Sequence, residues 1–259
     1  MKIVVADDLP ASALDLLRAE AGWIVDARSG RTAAALAADL ADADALLVRS
    51  ATKVTAQLLD AAPRLRIVAR AGTGVDNVDV AAASARGLLV VNAPGANSIS
   101  VAEHACALML ALARSVPAAD RAMKEARWEK KKFLGTELRG KTLGVAGLGR
   151  IGQEVALRAR AFGMHLVAHD PYISKEIAAG LGVELMTLDE MCASADYVTL
   201  HLPSTAETRH VFNDDRFARC KPGIRLINTA RGELIDEAAL RRAIEMDEHG
   251  SANRFWLRF

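Results

Sequence analysis

The stretch that decides the fold is Lys141-Thr142-Leu143-Gly144-Val145-Ala146-Gly147-Leu148-Gly149-Arg150-Ile151-Gly152. An apolar run of strand type ends at Gly147, and glycines at 147, 149 and 152 form a G-x-G-x-x-G turn. Such a string is weak alone, but its context is informative. Ile151, Val155, Ala159 and Phe162 follow with helical spacing, so a helix opens at the turn. The next apolar run, Leu166-Val167-Ala168-His169, ends in Asp170, 18 positions beyond Gly152. Strand, glycine turn, helix, strand and acid in this order form the dinucleotide-binding arrangement.

Each residue type has a physical reason to be there. Gly147 permits the tight turn, Gly149 lets the backbone approach a pyrophosphate, and Gly152 allows the helix to pack closely on the strand. The N–H groups near Arg150 and Ile151, at the positive end of the helix dipole, are placed to receive phosphates. Asp170 accepts hydrogen bonds from ribose hydroxyls and repels a 2′-phosphate. Pro171-Tyr172 adds no compensating arginine, so the expected cofactor is NAD rather than NADP.

Working outward, apolar β-type runs at 2–6, 23–26, 45–48, 67–69 and 88–91 alternate with helical stretches, the first opened by Pro10. A second series has strands expected at 143–147, 165–169, 197–201 and 224–228. The alternation predicts α/β architecture with parallel sheets. Asn92-Ala93-Pro94-Gly95 reads as a hinge, which gives a domain over 1–94, a dinucleotide-binding domain over 95–245, and a cleft between them. Ser100-Val101-Ala102-Glu103 has the form of a capping box. The helix it starts is expected to bury Val101, Ala105, Leu108 and Leu112 and to close at Pro117.

Composition bounds the function. The 259 residues are 51% apolar, and 33 basic against 32 acidic side chains leave a net charge of +1. That balance argues against a global grip on nucleic acid or an anionic membrane. No apolar run reaches the length of a membrane span, and Asp7 arrives too early for a signal peptide. Cys106, Cys192 and Cys220 are far apart in sequence and form no CxxC pair, so neither a disulfide framework nor a zinc site is expected. A reducing cytoplasm fits.

Further polar residues fall at the carboxyl ends of expected strands, where ligands of open α/β sheets gather. These are Arg49-Ser50-Ala51-Thr52, Arg70-Ala71-Gly72-Thr73-Gly74, and Asn228-Thr229-Ala230-Arg231-Gly232. The arginines can hold carboxylate or phosphate in a two-pronged bond, with a structural ion pair as the alternative. Among the histidines, His104 reads as a packing residue. His201 ends a strand near the cofactor crevice without an evident acidic partner.

Together these motifs resemble the D-isomer-specific 2-hydroxyacid dehydrogenases over roughly residues 1–245, within their phosphoglycerate dehydrogenase branch. Carrying the resemblance are Val48 to Lys53, Arg70 to Asn77, Trp128 to Gly140, Gly147 to Gly152, and Asn228 to Gly232. It implies a flavodoxin-like substrate domain and a Rossmann NAD domain acting on a 2-hydroxy or 2-oxo acid, with 3-phosphoglycerate and serine biosynthesis the expected setting. It implies that Arg231 binds the substrate carboxylate and that Gly72, Thr73 and Gly74 face substrate and nicotinamide. Leu202-Pro203 and Thr229-Ala230 are implied to line the cofactor. Arg49 and Arg70 are the candidates for the distal phosphate, with Ser50 among the substrate-binding residues. A homodimer or higher homo-oligomer is implied through the helix after Ser100 and the arm at Trp128.

The family's chemistry also uses a carboxylate and a histidine for proton transfer, in segments that follow the Arg231 turn. This sequence follows the pattern only to about Glu245 and then reads Met246-Asp247-Glu248-His249-Gly250-Ser251-Ala252-Asn253-Arg254-Phe255-Trp256-Leu257-Arg258-Phe259. Three of the chain's eleven aromatics crowd into its last five residues. The expectation is an aberrant tail over 246–259, an incomplete Rossmann sheet lacking its last strands, a missing returning helix, and impaired turnover. The alternatives are a non-catalytic NAD-binding scaffold or a non-functional gene fragment.

Overall fold

Nine of the eleven strands among the described residues grow from the short apolar runs singled out above, and every strand pairing among them is parallel. The structure, a computed structural model, describes the backbone of residues 1–248 and 256–258 and the side chains of 1–245. The chain divides into two compact units, Met1–Asn97 and Ser98–Phe259.

The first unit holds β1 (Lys2–Val5), α1 (Ala11–Arg18), β2 (Ile24–Ala27), α2 (Ala33–Leu40) and β3 (Ala45–Val48). α3 (Ala56–Asp60), β4 (Ile67–Arg70), α4 (Val80–Ala85) and β5 (Leu89–Asn92) follow. Thr32, Thr55 and Asp79 cap α2, α3 and α4 by accepting a hydrogen bond from the third residue of each helix. The strand order is β2-β1-β3-β4-β5, the flavodoxin-like arrangement. Val4, Leu46 and Val68 are fully buried on one face of this sheet, against Leu36 and Leu40 of α2 and Leu58 and Leu59 of α3.

The second unit opens with α5 (Ser98–Ala113) and α6 (Val116–Lys124). It continues through β6 (Thr142–Ala146), α7 (Arg150–Ala161), β7 (His165–His169), α8 (Lys175–Gly180), β8 (Glu184–Leu185), α9 (Leu188–Ser194) and β9 (Tyr197–Leu200). α10 (Asp214–Arg219), β10 (Arg225–Asn228), α11 (Glu237–Glu248) and β11 (Trp256–Arg258) complete it. The order β11-β10-β9-β6-β7-β8 is that of a six-stranded Rossmann sheet, with its reversal between β9 and β6 on one side and β7 on the other.

The structure departs from the expectations in five places. A strand forms within the tail, where none was expected: Trp256–Arg258 pairs with β10 in parallel, Arg225 opposite Trp256 and Ile227 opposite Arg258. Helix α11 likewise runs through Met246, Asp247 and Glu248, residues assigned to the aberrant tail. α5 begins at Ser98, so Ser100 is inside the helix and forms no terminal capping box. Its buried face is Ala102, Ala105, Cys106, Met109 and Ala113, rotated from the expected stripe. Pro117 opens α6 rather than closing α5, because its fixed φ and missing N–H suit a first helical turn. β8 is a two-residue strand with too few residues for a periodic signal.

Candidate functional site

Three glycines shape the turn after β6, each under a different constraint. Gly147 has φ +93°, which an L side chain rarely adopts, and a Cβ there would lie 2.8 Å from the His201 carbonyl oxygen. A Cβ on Gly152 would overlap the Gly147 carbonyl and lie 3.2 Å from Val145 Cγ1, so the helix packs first on the turn and then on the strand. A Cβ on Gly149 would meet nothing within 4 Å. Gly149 is also the N-terminal cap of α7 and offers no side-chain acceptor. The helix therefore presents uncapped amides beside open space.

Hydrogen bonds hold this turn from both sides. Gly147 N donates to His169 O at 2.9 Å, and His201 N donates to Ala146 O at 2.8 Å. The Asp170 carboxylate, just past β7, accepts from Leu148 N and Tyr172 N, each at 2.8 Å. Asp170 thus braces the glycine turn, a role the sequence reading missed. Each carboxylate oxygen keeps further acceptor capacity. Gln153 Nε2 closes the turn from the helix by donating to Leu148 O at 3.0 Å.

The neighbouring strand ends lead to the same edge of the sheet. After β9, Leu202 packs beside Gly147, with its Cδ2 3.2 Å from where a Cβ would stand. Pro203 O accepts from Thr208 Oγ1 at 2.6 Å. After β10, buried Asn228 ties its loop back on itself, accepting from Ala230 N at 2.9 Å and donating to Arg231 O at 2.8 Å. Half-buried Arg231 donates from Nη1 to Ala230 O at 2.9 Å. Two buried polar atoms here, His201 Nδ1 and Thr229 Oγ1, have no hydrogen-bond partner. Nε2 of His201 pairs with Thr199 Oγ1 at 3.0 Å, and burial pushes the imidazole pKa down to about 4. His201 is therefore neutral near pH 7. His104 is exposed on α5, not the packing residue expected of it, and His249 lies outside the described residues.

In the first unit, the candidate residues sit on loops that leave β3 and β4. Asp7, buried at the end of β1, gathers the β3 loop: it accepts from Arg49 N at 2.6 Å, Thr52 N at 3.2 Å and Thr52 Oγ1 at 2.6 Å. Burial opposes its charge, yet the bonds from Thr52 and the Arg49 amide outweigh it and hold the carboxyl below its ordinary value. Arg49 and Ser50 are exposed. Arg70 folds back so that its guanidinium lies over Gly72, where any Cβ would collide with it, and its Nε is buried without a partner. Thr73 donates to Asn97 Oδ1 at 2.5 Å, while Asn92 Nδ2 donates to Thr73 O at 2.6 Å, and half-buried Gly74 follows. Asn77 bonds the carbonyls of Arg49 and Thr52, each at 2.7 Å, which links the two loops.

Residues 106–253 match the family model of the D-isomer specific 2-hydroxyacid dehydrogenase NAD binding domain. The chain belongs to the D-isomer-specific 2-hydroxyacid dehydrogenases. It is 48% identical over 252 residues to a D-3-phosphoglycerate dehydrogenase of Archaeoglobus fulgidus, covering 97% of this chain and 48% of that protein. It is 52% identical over 244 residues to the enzyme of that name from Mycobacterium tuberculosis, covering 93% and 46%. The chain thus spans about half the length of these curated relatives. Among solved structures, the TT0316 protein of Thermus thermophilus superposes with a TM-score of 0.88 at 36% identity, covering 98% of this chain and 79% of that one. D-lactate dehydrogenase from Aquifex aeolicus, complexed with NAD and lactic acid, superposes with a TM-score of 0.85 at 29% identity, covering 99% and 75%.

The second unit, as the NAD-binding domain of this family, has a site that fits its cofactor. The open space over Gly149 accommodates a diphosphate against the α7 amides. The orphaned His201 Nδ1 and Thr229 Oγ1 lie on the loops that follow β9 and β10. Among the described residues no cluster of three or more metal-ligating side chains occurs, and no single helix is long and apolar enough to cross a membrane.

Proposed function

We propose that the chain binds NAD at the carboxyl ends of β6, β7, β9 and β10 and serves the oxidation of a D-2-hydroxy acid, 3-phosphoglycerate to 3-phosphohydroxypyruvate, in serine biosynthesis. Open space over Gly149 beside uncapped helix amides is the observation that carries this reading. In it, the backbone of Gly147, Gly149, Arg150, Ile151 and Gly152 cradles the diphosphate, and Asp170 takes the ribose hydroxyls. Thr73, Leu202, Pro203, Thr229 and Ala230 complete the cofactor contacts. NAD, when bound, supplies the hydride acceptor.

The unit Met1–Asn97 is the substrate domain in this reading. Arg231 binds the substrate carboxylate, orients C2 and polarises its oxygen. Gly72, Thr73 and Gly74 contact the reacting end, Arg49 and Arg70 hold the distal phosphate, and Ser50 lies among the substrate-binding residues. His201 does not carry the proton, since burial keeps it neutral down to about pH 4 and its Nε2 is engaged by Thr199. Assayed by itself, the 259-residue chain is expected to bind NAD yet turn over some 10²–10⁴-fold more slowly than a chain that also carries the family's paired Glu and His segments. An NAD-binding module without turnover is the second reading, favoured by the same neutral histidine. The protein is proposed to act in the cytoplasm as a homodimer.

Titration with NADH, followed by calorimetry, tests the site. Saturable binding is expected, weakened about tenfold, or 1.4 kcal/mol, by Asp170→Ala. The variant should also discriminate less against NADPH, because the charge that repels a 2′-phosphate is gone. Absence of saturable binding by the unmodified chain would remove the basis of both readings.

A further inference from the structure

Cys192 and Cys220 are 28 positions apart in sequence but adjacent in the fold. Cys192 sits in the last turn of α9, and Cys220 follows α10 as its C-terminal cap. Lys221 N donates to Cys192 O at 2.9 Å, so the residue next to one cysteine is bonded to the backbone of the other. Such a bond brings the backbones of the two cysteines close together, as a disulfide requires. The side chains converge too. Cys192 is wholly buried in a core cluster, and Cys220 packs against the same cluster.

The two thiols are not equivalent. Cys220 is partly exposed, and its Sγ also donates to Arg216 O at 3.2 Å. The neighbouring Cys220 draws the Cys192 thiol below its ordinary pKa despite burial, whereas Cys192 and burial together push Cys220 up, so attack by Cys220 should quicken as pH rises. The arrangement sets a partly exposed cysteine beside a wholly buried one.

We propose that Cys192 and Cys220 form a dithiol redox site, which a small-molecule disulfide oxidises to an intrachain disulfide tying α9 to the end of α10. In the first step Cys220, having given up its proton, attacks one sulfur of the reagent R–S–S–R. The reagent's S–S bond breaks, a Cys220–S–S–R bond forms, and RS⁻ leaves and takes up the proton. Cys192, deprotonated in turn, then attacks Cys220 Sγ. The mixed disulfide breaks, the Cys192–Cys220 bond forms, and the second RS⁻ leaves with the second proton. Two cysteine thiols are oxidised, and one reagent disulfide is reduced to two thiols.

The test treats the folded 259-residue chain with 5,5′-dithiobis(2-nitrobenzoate) in the absence of denaturant, then alkylates it and maps the peptides by mass. The natural sequence should release two equivalents of chromophore from the pair and yield the peptides of Cys192 and Cys220 joined. Cys192→Ser should release one and keep the aromatic adduct on Cys220, its lifetime about tenfold longer or more because no resolving thiol remains. Cys220→Ser should leave Cys192 unreacted. The linked form should keep its circular dichroism spectrum and melt above the reduced form. A stable adduct on Cys220 with Cys192 recovered as an alkylated thiol would overturn the proposal. So would a failure of both to react in the folded protein, or linkage only with loss of the native spectrum.

Discussion

At the scale of single residues, Gly149 and Gly152 separate binding from folding. Gly152→Ala drives a methyl group into the Gly147 carbonyl, a backbone atom that cannot rotate away. A melting-point loss equivalent to about 1–3 kcal/mol is expected from such overpacking, with NADH binding lost alongside it. Gly149→Ala meets nothing within 4 Å and has an ordinary φ of −71°. It should melt like the parent while binding NADH at least about tenfold more weakly, because the methyl occupies the space proposed for the diphosphate. Equal binding by Gly149→Ala and the parent would contradict that placement. His201 gives a pH signature. Its pKa is about 4 in the fold and near 6.5 when unfolded, so between those values the unfolded chain binds more protons. Stability should therefore fall as pH drops from about 6.5 toward 4, by up to about 3 kcal/mol, and His201→Gln should flatten that slope in urea melts at stepped pH.

At the scale of elements, Arg31 joins three pieces of the first unit. Its side chain is only 5% exposed and reaches Asp39 Oδ2 of α2 at 2.7 Å, Asp26 Oδ1 of β2 at 2.9 Å and Val5 O of β1 at 2.8 Å. Arg28, more exposed, pairs with the same two carboxylates. The Arg28 bond leads the effects that hold Asp26 down to about 2, with Arg31 adding to it against burial. Arg31→Met keeps the stem's length but leaves two half-buried carboxylates with one cation. A loss of about 2–3 kcal/mol in urea unfolding is expected, and one under about 0.5 kcal/mol would show the network to be dispensable. No pattern in the sequence marks Arg31, because its partners come from a strand and a helix on either side of it.

At the scale of the whole molecule, the second unit leaves large apolar side chains in water. Trp128 and Leu134 are each 78% exposed, and Ile99, Val116 and Met123 on α5 and α6 are more than half exposed. Exposed apolar side chains concentrated on one stretch of chain mark a protein interface. This supports the proposed homodimer. Trp128→Glu with Leu134→Glu should convert a dimer to monomer in light scattering coupled to gel filtration, without lowering NADH affinity. A monomeric parent would defeat the dimer.

The parallel α/β class and the glycine turn were legible in the sequence because they rest on local physics. Apolar runs of strand length recur between helical stretches, and a glycine at 147 permits the positive φ that the turn takes there. Legibility ended where a property depends on what lies opposite. Trp256–Arg258 read as aberrant tail because a three-residue strand has no period of its own; only the open edge of β10 makes it a strand. The α5 stripe was misjudged because its burial is set by α7 and β10 packing on it, not by its own spacing. Asp170 as a brace for Leu148 N, and Cys192 beside Cys220, likewise required the chain to be folded. Sequence separation carries no information about such pairs until the backbone hydrogen bonds of the sheet and its flanking helices bring them together.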